Sequence, residues 1–290
     1  MSCHDHSHNY NNIKIAFWLN FGFAIIEIIG GVLTNSVAIL SDALHDFGDS
    51  ISIGLSWWLE KYSTKGPSER FTYGYRRFSL LGGLINAVVL LCGSVFVLYA
   101  TIPRLFSPEQ THPSGMIFLA ILGLAVNAIA VIKVSSGKSE NMKVITWHLL
   151  EDVLGWAAVL IGSIIMYFTD FFIIDPIMSL GITGYILFNV YKRLNSTISL
   201  FLQATPTEIK VDNLIAGITK INGVNGEHHT HAWSLDGEHH VLSTHISVDP
   251  TISPSETTSI KQSIRALAKE FGFIHVTVEI ESQSGDCSTP

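Results

Sequence analysis

The chain has 290 residues, 14% of them charged and 48% apolar, with a net charge of −7 and a mean hydropathy of +0.37. Soluble domains average about 25% charged residues, so much of this chain avoids water. Three scattered cysteines, Cys3, Cys92 and Cys287, exclude a disulfide scaffold, and the lack of a basic domain argues against nucleic acid as a partner.

Residues 1–12 form a short tail in which Cys3-His-Asp-His-Ser-His8 is a compositional metal signal, either a weak collector or a dispensable end. Residues 13–204 then read as apolar runs of roughly 20 residues, the length that crosses a hydrocarbon core about 30 Å thick. Six spans are expected near Ile13–Leu33, Ser36–Trp58, Phe78–Ile102, Gly115–Val134, Val144–Phe168 and Phe171–Tyr191. The first is too long and its leading flank too poor in basic residues for a cleaved signal peptide. Lys14, Lys61, Lys65, Arg70, Arg76, Arg77, Lys133, Lys138, Lys143, Lys192 and Arg193 all fall on one side of such a bundle, and Arg104 alone on the other. The positive-inside rule puts both termini in the cytoplasm.

Charged groups within a membrane are costly and usually functional. Glu27, Asp42, Asp46, Asp49, Glu151 and Asp152 lie inside the expected spans, Asp175 lies near an end, and no Lys or Arg lies deep in any of them. Such carboxylates must be protonated, hydrated or neutralised by a bound cation, so the set points to a cation path. Two pairs are sharper: His45 with Asp49 in span two, and His148 with Asp152 in span five. Spacing of i, i+4 sets both side chains of a pair on one helix face about 6 Å apart. Two such faces turned together offer two imidazole nitrogens and two carboxylate oxygens, a tetrahedral set suited to zinc. Their depths agree, since Asp49 stands roughly 13 Å from the inner end of its span and Asp152 roughly 12 Å, at 1.5 Å per residue. Asp42 shares the face of His45 and Asp49, as an exit-side ligand, a proton acceptor or the cap of a kink. Asn20, Asn86, Asn127 and Asn189 are expected to knit helices together, and Gly30–Gly31 and Gly82–Gly83 to let them pack closely.

From 205 onward the pattern turns soluble. Thr205-Pro-Thr-Glu208 and Ser253-Pro-Ser-Glu256 both read as capping boxes opening helices, Glu208–Ile221 and Glu256–Phe271. Alternating segments Glu227–Leu235 and Glu238–Val248 flank Asp236-Gly237, a two-residue hairpin signal, and His275–Glu281 makes a last strand. The order αββαβ predicts a small sheet with two helices on one face. With Leu235 opposite Glu238, His228 falls opposite His245, close enough to share a metal. Glu279 and Glu281 share one face of the last strand and add oxygen donors, His229, His231, His239 and His240 add nitrogen, and Cys287 lies a short tether beyond.

These residues together resemble the cation diffusion facilitator family, specifically its bacterial zinc-efflux members. The resemblance rests on Ser36-Val-Ala-Ile-Leu-Ser-Asp-Ala-Leu-His-Asp-Phe-Gly-Asp49, Phe71-Thr-Tyr-Gly-Tyr-Arg-Arg77, Trp147-His-Leu-Leu-Glu-Asp-Val-Leu-Gly155, His231-Ala-Trp233 and His275-Val-Thr-Val-Glu-Ile-Glu281. It implies a six-helix transmembrane bundle with a cytoplasmic α+β domain of ferredoxin or metallochaperone type. It also implies a homodimer in a bacterial inner membrane that exports Zn2+, and with it Cd2+ or Co2+, in exchange for protons. The family's cytoplasmic metal site maps onto His245 and Glu281 with His228. The long His-rich loop of eukaryotic relatives is absent between spans four and five, and residues 61–78 hold no His or Asp for a loop site. No His-Glu-x-x-His string supports an enzyme; a passive divalent-cation channel and a membrane-bound metal sensor are the rival readings.

Overall fold

The computed structural model describes the backbone over residues 5–63, 65–135 and 140–282. Side chains are described over the same residues except 5–16, 56–57, 60–61, 63, 133–135, 140–148 and 282. The chain forms two compact units, Met1–Lys61 with Leu81–Leu194, and Tyr62–Leu80 with Asn195–Pro290.

The first unit is built from six long helices: α1 (Asp5–Thr34), α2 (Val37–Ser63), α3 (Phe78–Phe106), α4 (Pro113–Ser135), α5 (Glu140–Thr169) and α6 (Ile174–Phe201). Each expected span is met by a helix longer than itself, and α1 starts at Asp5, inside the stretch read from sequence as a tail. Four stretches, Phe17–Thr34, Phe78–Phe106, Pro113–Ile132 and Leu149–Thr169, are long and apolar enough to cross a membrane. Large apolar side chains such as Phe96, Tyr99 and Phe118 project from their surfaces, as an integral membrane protein requires. Neither α2 nor α6 is among those four. The cause is their inward chemistry: Ser36, Ser41, Asp42, Asp46 and Ser50 on α2 and its lead-in, and Asp175, Ser179 and Thr183 on α6, are all buried.

Those polar residues join the two helices. Ser36 Oγ donates to Asp175 Oδ1 at 2.5 Å, while the amides of Val37 and Ala38 donate to the same carboxylate at 2.9 and 3.3 Å. Asp175 therefore caps the first turn of α2 from another helix. This corrects the expectation that it belongs to a cation path, because its oxygens are already committed to that cap. Further along, Ser41 Oγ meets Thr183 Oγ1 at 2.5 Å, and Thr101 Oγ1 of α3 meets Ser179 Oγ of α6 at 2.9 Å. Asn20 Nδ2 links α1 to α2 through the carbonyl of Asp46 and the hydroxyl of Ser50, as expected for it. Close approach relies on glycine: a Cβ on Gly123 would come within 2.3 Å of the buried Trp156 indole.

The second unit carries α7 (Val211–Ile218), β1 (Gly226–Ser234), β2 (His240–Val248), α8 (Pro254–Glu270) and β3 (Phe273–Ser282). The sheet order is β1-β2-β3, with β1 antiparallel and β3 parallel to the central β2. Leu214 and Ile218 of α7 and Ile260, Ile264 and Ala268 of α8 pack on Leu242, Ile246 and Phe273 to form a core of its own. The expected αββαβ order is thus present, and α8 opens with the full Ser253/Glu256 capping box. Two local expectations fail. The box at Thr205 is not made: Pro206 is buried, residues 206–209 turn so that Ile209 packs against the core, and the helix begins only at Val211. The hairpin also closes one residue wider than Asp236-Gly237 suggests. Leu235 N donates to His239 O, leaving the three-residue loop Asp236–Glu238; the amides of Glu238 and of His239 just beyond it donate to Asp236 Oδ1.

Candidate metal centres

In the first unit, α2 sets His45 Nε2 3.7 Å from Asp49 Oδ2 on one face, the juxtaposition that i, i+4 spacing dictates. Asp42 stands a turn earlier on α2 and is buried. Its Oδ1 lies 3.7 Å from where a Cβ would stand on Gly155, so this part of α2 faces α5. Asp152 of α5 lies within electrostatic reach of Asp42, Asp46 and Glu27. Glu27 and Asp46 are themselves buried, whereas Glu151, read from sequence as one of the same set, is exposed. Backbone geometry places His148 one turn before Asp152 on α5; its side chain lies outside the described residues. Cys287 also lies outside them, as do Cys3 and His4, and no side chain is described for His6 and His8.

In the second unit, three expected donors do converge. Glu281 on β3 forks between two imidazoles: Oε2 is 3.1 Å from His228 Nε2 and Oε1 is 2.8 Å from His245 Nδ1. One ligand atom from each of the three lies within 4.8 Å of the others. Glu279 Oε2 stands 3.5 Å from His245 Nε2, and the His229 ring centroid is 5.6 Å from that of His245. His228 does lie opposite His245, but by a different route from the one the sequence suggests. The wide turn displaces the strands by one residue, pairing His231 with Ser243, and a bulge between His228 and His231 removes the displacement. The bulge holds His229 at φ +49°, in the left-handed region. The His245 hydrogen bond, followed by the nearby His228, holds the Glu281 carboxyl below the usual carboxylate range. An ionised carboxylate facing two imidazoles is a donor set that fits zinc or a similar divalent ion. His231, His239 and His240 are not in this group: His239 Nδ1 pairs with Asp236 at 2.7 Å, and His240 is buried against Phe273.

Comparison with known proteins agrees with both units. The cation efflux transmembrane domain matches residues 13–202, and the cation efflux protein cytoplasmic domain (ZT_dimer) matches residues 206–283. A "cadmium, cobalt and zinc/H(+)-K(+) antiporter" of Bacillus velezensis is 33% identical over 96% of this chain and 92% of its own length. The metal cation efflux system protein CzcD of Cupriavidus metallidurans is 31% identical over 96% of this chain and 89% of its own. The zinc transporter ZitB of Pectobacterium atrosepticum is 30% identical, covering 98% and 90% respectively.

Proposed function

This chain belongs to the cation efflux family of membrane metal transporters, and on that premise we propose that it exports Zn2+ from the cytoplasm in exchange for protons. Cd2+ or Co2+ is a further candidate cargo, and the working unit is a homodimer in a bacterial inner membrane with both termini in the cytoplasm. All six long helices cross the membrane in this reading, residues 13–204 forming the transport domain and 205–290 the cytoplasmic one. Supporting the cargo and its exchange partner are the names of the relatives; supporting the dimer is the match to ZT_dimer.

The observation that carries the reading is the polar face of α2. His45 and Asp49 pair there, and Asp42 is turned toward the helix that bears Asp152. The proposed transport site is His45, Asp49, His148 and Asp152, with Asp42 a neighbouring ligand or proton acceptor. Zinc requires neutral imidazole and ionised carboxylate, so loading from the cytoplasm expels protons. Once the bundle opens outward, external protons compete for the same atoms and release the ion. The second site, His228, His245 and Glu281, takes cytoplasmic zinc and favours the transporting arrangement. The tethered Cys287 is a further donor for it.

Zinc uptake into inverted vesicles with an imposed pH gradient tests the assignment. Asp49→Ala combined with Asp152→Ala is expected to abolish gradient-driven uptake. Undiminished flux in that protein overturns the transport site, and zinc movement without proton counter-movement in the unaltered protein favours a channel instead.

A further inference from the structure

The second unit holds a feature that metal transport leaves unused. The segment between α2 and α3 folds against the sheet domain: Tyr73 packs edge-on to His275 with ring centroids 5.3 Å apart, and Arg76 Nη1 lies 3.9 Å from Asp236 Oδ2. Gly74, at φ +79°, turns the segment back on itself, its amide donating to Phe71 O at 2.9 Å. Between the segment and the domain is a cavity of about 400 Å³. Its lining contains Arg70, Arg76 and Arg77 with Tyr73 and Trp233, and no carboxylate among the described residues.

Arginines normally come with acceptors. Asp236 serves Arg76 only at long range and is also held by His239. Arg70 rests on the Phe71 ring, its guanidinium 5.6 Å from the ring centroid. Arg77 is the informative one: Nε and Nη2 are both buried and meet no acceptor. A guanidinium sheltered from water without a counter-group is costly. Its planar fork matches the oxygens of a phosphate in a bidentate way. Position narrows the source, because Arg77 immediately precedes the apolar stretch Phe78–Phe106. On the proposed reading that this stretch crosses the membrane, on which the inference rests, residues there sit at headgroup depth, where basic and aromatic side chains meet anionic lipid.

We propose that this pocket binds a phosphate group through Arg77 and Arg70, presented by an anionic phospholipid. The lipid thereby ties the cytoplasmic domain to the bilayer surface at the root of α3. The test is native mass spectrometry of the full-length protein in detergent, titrated separately with phosphatidylglycerol, phosphatidylcholine and inorganic phosphate. Phosphatidylglycerol is expected to bind at least about tenfold more tightly than phosphatidylcholine, and Arg77→Gln to erase that preference. Arg77→Lys should keep part of it, and Arg265→Gln, on exposed α8, all of it. Arg70→Gln, at an exposed loop position that folding does not need, serves if Arg77→Gln does not fold, and should lower the preference by itself. Equal binding of the two lipids, or phosphatidylglycerol binding unchanged in both Arg70→Gln and Arg77→Gln, overturns the proposal. Tight inorganic phosphate binding that Arg77→Gln removes, without any lipid preference, overturns the lipid as the source.

Discussion

At the scale of single residues, the proposed cytoplasmic site depends on one carboxylate doing two jobs. Because Glu281 touches both His228 and His245, removing its charge weakens the whole group. Calorimetry of the 205–290 fragment, which carries its own core, is expected to show zinc uptake. Glu281→Gln should weaken that uptake by at least about tenfold, in keeping with the losses that even indirect supporters of a metal site produce. His240 makes a separate prediction. Burial holds its imidazole below the usual histidine range, so the unfolded chain takes up a proton more readily than the folded one. Its contribution to stability is complete above the ordinary value of about 6.5 and is lost as pH falls from there through the lowered folded value. Urea unfolding of the same fragment should show a lower midpoint at pH 5.5 than at pH 7.5. His240→Asn should remove part of that difference.

At the scale of elements, the α2–α6 seam is the most exposed to test. Asp175 accepts from Ser36, Val37 and Ala38 at once, and Asp175→Asn presents an amide donor to some of those donors. The expected cost is about 2 kcal/mol, read as a melting temperature lowered by several degrees in detergent with zinc selectivity unchanged. This seam also marks where sequence reading stops. Helix positions were legible because apolar runs of bilayer length have few other uses, and the sheet order because Ser253-Pro-Ser-Glu256 and the alternating strands are local signals. The role of Asp175 was not legible, since its partners lie about 140 residues away in sequence. At Thr205 the local capping signal was real but lost to tertiary packing, which gained more by seating Ile209 on the core. The pocket beside Arg77 left only a faint trace, the run of aromatics and arginines from Phe71 to Phe78.

At the scale of the whole molecule, the proposed function has the two units answer to one ion at two places, an intramembrane face that moves it and a cytoplasmic group that reads its concentration. In sealed vesicles, each gradient-driven zinc movement should therefore be accompanied by proton movement in the opposite direction, followed with a pH-sensitive dye. His228→Ala should shift the zinc dependence of transport to higher concentration while leaving the proton coupling intact. The bulge at His229 has a consequence of its own. The wide turn at Asp236–Glu238 and the extra residue at His229 each offset the strands by one, in opposite senses. Were the same residues to close on a two-residue Asp236-Gly237 turn with the bulge kept, His228 would stand across from Thr244, with His245 on the other face of the sheet. The group of three ligands therefore rests on two slips that cancel, and a change of pairing at the turn that removes no ligand would still part His228 from His245.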